Sequence, residues 1–208
     1  MQFETEAIVC GLRAHGEHGS IVRLMTFDHG LVAAYVRGGR GRRMRPILIP
    51  GNVVAAQLRS RTEAQLPQAT IELAHSRAPL LAEPLPAAAI DWISALVAAA
   101  LPERQPYPRL YEALGGLLDA VESAPSATGW AGALARFETF LVAQLGYGRD
   151  EAGAPAWLRR GGTAGWREIF DALDLSGAVL FREILTGRSR ALQDSRNRLL
   201  ERMRRMAS

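Results

Sequence analysis

The sequence contains no lysine: all 25 basic residues among its 208 are arginine. That absence excludes a Walker-type phosphate loop, a kinase-type strand lysine and a Schiff-base amine. Arginine cannot stand in as a base, because it stays protonated. A GC-rich genome accounts for the substitution, and the Ala, Gly and Pro load agrees with it. One cysteine, Cys10, excludes an internal disulfide and a multi-cysteine zinc site. Long apolar runs are also missing. The greasiest stretch, Ala87–Leu101, is broken by Asp91 and Ser94, short of the roughly 18 uninterrupted apolar residues of a membrane span. Glu4 and Glu6 stand where a signal peptide would carry basic residues. The expectation is a soluble, cytoplasmic protein without a membrane partner. Aromatics are few at 7%, so stacking platforms are scarce.

What is present is an uneven charge. Residues 1–75 hold nine Arg against six acids, residues 76–150 five against eight, and residues 151–208 eleven against seven. Two basic ends flank an acidic middle. The first part alternates with a period of two around Glu4, Glu6, Ala7 and Val9, then through 21–27, 31–37, 52–59 and 69–73. Turn residues separate these runs: Gly16 and Gly19, Asp28-His29-Gly30, Gly38-Gly39, Pro50-Gly51. Five short strands in about 75 residues predict an α+β chain. Its N-terminal part is a five-stranded OB-type barrel, closed so that no strand edge is exposed.

From about Pro79 the period becomes helical. Ile90, Ile93, Val97 and Leu101 form one stripe; Leu110, Leu114, Leu117 and Val121 a second; Trp130, Leu134, Phe137, Leu141 and Leu145 a third. Gly146 is placed to stop the third helix. Two short helices, 166–173 and 178–185, and a last one over 190–206 complete an all-helical part, with Ser189 as N-cap. Leu192, Leu199, Met203 and Met206 share one face of that last helix. The boundaries read as 1–78 for the barrel and 79–208 for the helices, with a Gly-rich link at 148–165.

The segment Arg37-Gly38-Gly39-Arg40-Gly41-Arg42-Arg43-Met44-Arg45 carries five Arg and three Gly in nine residues. Five guanidinium groups need water or an anionic partner. Glycine lets the backbone approach a ligand, and arginine forks match phosphate oxygens. Arg59 and Arg61 share the outer face of the fourth strand, and Arg23 faces opposite Val22 and Leu24. Together they predict a nucleic-acid track. Phe3, Phe27 and Tyr35 are each either core or stacking platform. In the C-terminal run, most arginines read as a solvated amphipathic face, while the excess Arg202, Arg204 and Arg205 are candidates to meet an acidic peptide or to extend the DNA path. His15, Glu17 and His18 lack metal-site spacing and read as exposed turn residues. Gly187-Arg188-Ser189-Arg190-Ala191 lacks the second glycine of a nucleophile elbow. No catalytic residue, metal or cofactor is expected.

The order of these features resembles the RecO family of bacterial recombination mediators. The matching residues are Ala7-Ile8-Val9, Gly16-Glu17, Thr26 with Gly30, Arg37-Gly38, Pro50, Arg136-Phe137-Glu138 and Leu145-Gly146-Tyr147. The resemblance covers about 1–150 and, more loosely, the C-terminal helices. It implies an N-terminal OB-fold and a helical C-terminal domain, binding to single- and double-stranded DNA, and strand annealing. It also implies partnership with RecR and with the acidic C-terminal tail of single-stranded DNA-binding protein, together loading RecA recombinase onto gaps in DNA repair. No catalytic residue comes with it. Some members carry a four-cysteine zinc module after the Gly-Tyr pair; here Gly148-Arg149-Asp150 follow, so zinc is not carried over. Arg136, Arg202 and Arg205 are the candidate partner contacts. An RNA-binding OB protein of translation or ribosome assembly is the alternative reading.

Overall fold

The structure, a computed structural model, describes residues 2–62, 64–124, 126–148, 157–158, 164–187 and 190–207. The chain divides into two compact units, Met1–Glu112 and Ala113–Ser208.

The first unit is built on five strands: β1 (Gln2–His15), β2 (Gly19–Thr26), β3 (Gly30–Val36), β4 (Val53–Arg59) and β5 (Gln68–His75). They close in the order β1-β2-β3-β5-β4. The OB-type barrel expected from the period-two pattern is therefore present, followed by helices. β1 is longer than its alternating residues suggested. Its first half pairs antiparallel with β4 and its second half with β2. A bulge between Val9 and Gly11 gives it the bend this needs. The barrel closes through one narrow seam, the parallel pair Tyr35 and Gln68.

Alternate residues fill the interior: Val9, Val22, Leu24, Ala34, Val36, Val54 and Leu58 are all buried there. Leu48 joins them, with Met44 and Ile47 packed alongside, so the chain between β3 and β4 closes the barrel with its own apolar residues. Helix α1 (Pro84–Ala100) contacts β1 on the outside, where Ala98 lies against Gly11. Ile8, Cys10 and Met25 are buried although they do not belong to the interior cluster. After α1, Arg104 N–H donates to the Leu31 carbonyl (2.9 Å) and Glu103 bridges to Leu31 beside β3.

Helix α2 (Pro108–Ser123) spans the boundary between the units. The second unit holds α3 (Ala127–Gln144), α4 (Trp166–Val179) and α5 (Arg190–Ala207). Beyond α3, Gly146 N–H donates to Ala143 O (3.0 Å) and Tyr147 N–H to Val142 O (3.1 Å), closing the helix in a Schellman pattern.

Two readings are corrected in this unit. The two short helices expected at 166–173 and 178–185 are one helix, α4, running into a π-helical turn at Leu180–Ile184. Gly177 lies inside α4, where a side chain would meet the Arg196 guanidinium. Met206 is not on the buried face of α5; it is exposed, and Ser195, Arg196, Leu199, Leu200 and Met203 face inward. Ser189 and most of the 148–165 link lie outside the described residues.

Candidate nucleic-acid interface

The five arginines of residues 37–45 are all exposed. The backbone beneath them is ordered by its own turns. Gly41 N–H donates to Gly38 O (2.8 Å), and both Met44 and Arg45 N–H donate to Gly41 O (3.1 Å). Met44, Ile47 and Leu48 hold the segment on the barrel core while the guanidinium groups project into solvent. Asn52, fully buried, fastens its far end: Nδ2 donates to the Pro46 and Ile47 carbonyls (3.0 and 3.1 Å), and Oδ1 accepts from Arg77 N–H (2.8 Å).

The near end is tied to the β1–β2 turn. Arg40 N–H donates to the His18 carbonyl (3.2 Å), and Arg40 Nη1 donates to the Glu17 carbonyl (3.1 Å). Arg45 Nε donates to Arg40 O (2.9 Å). Among the described residues, none of the five is ion-paired with a carboxylate.

The two tied turns border an open depression of about 760 Å³. Its walls are His15 to Gly19, Tyr35 with Arg37 and Gly38, and Leu66 with Gln68. These come from the β1–β2 turn, the end of β3, and the β4–β5 connection. In OB-folds the faces of the second and third strands and these two loops take oligonucleotides. Strand register extends the wall sideways. Tyr35 pairs with Ile21 and Gln68, Ile21 with Arg13, and Gln68 with Arg59. Partners in register point to one side of a sheet, so Arg13, Tyr35, Gln68 and Arg59 share an outward rung.

The predicted track is thus only partly gathered. Arg37, Arg40, Arg42, Arg43 and Arg45 belong to one turn, and Arg59 joins them by register. Arg61 is exposed in the β4–β5 connection. Arg23 lies outward too, but its Nη2 donates to Glu103 Oε1 (3.1 Å), which neutralises it. The aromatics separate as well. Phe3 packs against the interior, its ring centroid 3.9 Å from that of His29. Phe27 meets Tyr111 edge to face, and Tyr35 lines the depression. Arg13, His15, Leu66 and Gln68 were not among the expected contacts. The signal for Arg13 and His15 was alternation along a longer β1. Leu66 and Gln68 carry none, because only the barrel seam brings them to Tyr35.

In the second unit, Arg136 sits on α3 beside Gly132 and Trp157, with its Nη1 buried and unbonded. Desolvation lowers its pKa from the ordinary arginine value. Arg202 and Arg205 lie on the last turns of α5, and Arg205 is exposed. Arg204 reaches over the Phe170 ring, 5.5 Å from its centroid. Arg196 departs from the solvated face expected of α5. It is buried, and its Nε and Nη2 donate to Glu138 Oε1 and Oε2 (3.2 and 2.8 Å). Ser176 Oγ donates to Glu138 Oε2 (2.6 Å).

An OB-type barrel carrying a basic turn, followed by helices, defines the class of protein. Comparison with known proteins makes it particular. The family model described as "Recombination protein O N terminal" matches residues 1–77, and "Recombination protein O C terminal" matches residues 84–151. The chain is similar to "DNA repair protein RecO" of Phenylobacterium zucineum, 42% identical over 72% of this chain and 61% of that one. It is 42% identical to that of Rhodospirillum centenum over 72% and 59%. With that of Rhodospirillum rubrum it is 34% identical over 100% of this chain and 98% of the relative. The matched stretch spans about three-fifths of the first two relatives and nearly all of the third. The chain belongs to the RecO family of DNA repair proteins. Among its described residues no helix is long and apolar enough to cross a membrane.

Proposed function

We propose that this chain is a non-enzymatic, DNA-binding recombination mediator acting in the cytoplasm at the nucleoid. Residues 1–78 form the nucleic-acid-binding domain and residues 79–208 the partner-docking region. The observation that carries this reading is the ordered turn of Arg37, Arg40, Arg42, Arg43 and Arg45, without carboxylate partners among the described residues, beside an OB-type groove. Arg59 and Arg61 extend it. Arg23 contributes least, because Glu103 already holds it. Neutralising two phosphate backbones lowers the repulsion between complementary strands, and annealing then needs no covalent step. Burial pushes the Cys10 thiol up to about 12, which unsuits it to nucleophilic work and agrees with a binding role.

Phosphate contacts make affinity salt-dependent, with roughly one unit of log–log slope per neutralised phosphate. Changing Arg40, Arg42 and Arg43 together to Ala flattens the slope by about two to three units in fluorescence anisotropy titrations. An unchanged slope removes the turn from the interface. Matched RNA and DNA strands in competition separate this reading from an RNA-binding one, since only RNA offers 2′-hydroxyls.

Single- and double-stranded DNA, RecR and the acidic tail of single-stranded DNA-binding protein are the proposed partners, and loading of RecA recombinase onto coated gaps the outcome. Arg136 is the proposed tail contact: its guanidinium on α3 is only half-buried, and a carboxylate would meet the part of the group that stays accessible. Arg202 and Arg205 add positive charge to the same unit. Titration of the tail peptide against Arg136→Ala is expected to show weaker binding; equal affinity excludes Arg136.

A further inference from the structure

Beyond the arginines, the depression beside Tyr35 has features that phosphate binding does not use. Tyr35 and His15 meet with ring centroids 5.8 Å apart and planes at 76°. Two nearly perpendicular rings make a corner, so a planar group seated there lies flat on one and edge-on to the other. Such arrangements are the favoured aromatic geometries. Gly19 forms the floor, and any side chain at 19 would collide with the Tyr35 ring. Leu66 lines the same depression with an exposed apolar side chain at 44% accessibility. Gln68, paired in register with Tyr35, brings an amide that both donates and accepts. Arg37 lines the same wall, and Arg13 and Arg59 flank the rung.

The lining therefore combines aromatic, apolar, amide and cationic groups, with further arginines on the adjoining rung. From this combination we infer that the depression is a nucleobase subsite, where one unpaired base of a single strand stacks in the Tyr35–His15 corner against Leu66. The flanking phosphates run to Arg37 and Arg59. A paired base keeps its faces against its neighbours in the stack and cannot enter. The subsite therefore favours single strands over duplex, whereas the basic turn grips both. The inference rests on the nucleic-acid reading of that turn and adds selectivity to it.

Three probes of equal length test it with the full chain: a single-stranded oligonucleotide, an abasic strand of the same backbone, and a duplex. Stacking on an aromatic is worth about 1–3 kcal/mol per base, so Tyr35→Leu weakens single-strand binding by about 5- to 150-fold. Binding to the abasic strand and the duplex stays unchanged. Tyr35→Phe, which keeps the ring, binds like the native chain. A native-protein measurement stands beside the variants: a fluorescent adenine analogue in the single strand is quenched on binding, as stacking requires. Equal losses of Tyr35→Leu on single and abasic strands, or no quenching, overturn the subsite while leaving the basic turn intact. A native chain that binds none of the three probes overturns both.

Discussion

Cys10 is the bulge residue of β1 and is fully enclosed, and burial is the largest cause of its raised pKa. A backbone hydrogen bond from Met25 and the charge of Arg23 oppose that shift without cancelling it. Tyr111 behaves alike: burial first, then Glu6, raise it to about 12, and its hydroxyl donates to Glu6 Oε1 at 3.4 Å. Both groups hold their proton more tightly folded than unfolded. Their contribution to stability is complete below the unfolded pKa values of 9.0 and 10.0 and is lost as pH rises towards about 12. Unfolding free energy is accordingly expected to fall between pH 9 and pH 12. Cys10→Ala makes that fall shallower in denaturant titrations at stepped pH; an identical slope shows that the thiol does not report the transition. Asn52 shows another residue-scale dependence, since one amide joins the end of the basic turn to Arg77 after β5.

At the scale of elements, the second unit turns on a polar contact among three helices. Glu138 of α3, Ser176 of α4 and Arg196 of α5 are all buried; Ser176 and Arg196 both donate to the Glu138 carboxylate, and Arg196 Nη2 also donates to the Leu173 carbonyl. A carboxylate taken out of water is tolerable only with such partners. Removing the cation is costly: Arg196→Ala is expected to lower stability by about 3–5 kcal/mol, because Glu138 is left charged and enclosed. Adding Glu138→Gln relieves part of that loss. Chemical denaturation of the single and double variants measures both, and a single variant as stable as the native chain would show the pair to be dispensable. The same contact explains Gly177, where a side chain would stand in the space the guanidinium occupies.

For the whole molecule, charge and architecture point the same way. The basic turn sits on a closed barrel whose outer rung adds Arg13 and Arg59, while the acids of the middle third fall in the helices and connections that follow. Binding through such a surface is dominated by counterion release and is expected to weaken steeply with salt, with little sequence preference. The loss of slope in the triple arginine variant is the whole-molecule measure of how much of that field the turn supplies. The Tyr35 subsite acts on a different quantity, the ratio of single-strand to duplex affinity.

Local pattern alone determined a large part of this. Period-two alternation marked the strands, the three- and four-residue steps marked α1, α2 and α3, and the density of arginine marked residues 37–45 as an exposed cationic turn. These readings needed only neighbouring residues, because secondary structure and solvation respond to the side chains within a few positions. Tertiary structure alone decided the rest. It carried β1 past the bulge to His15, joined Tyr35 to Gln68 across the barrel seam, turned Arg23 to Glu103, and withdrew Arg196 from solvent to meet Glu138. The last three of these contacts span 33 to 80 residues of chain. Their partners are chosen by register and packing, which no local period encodes.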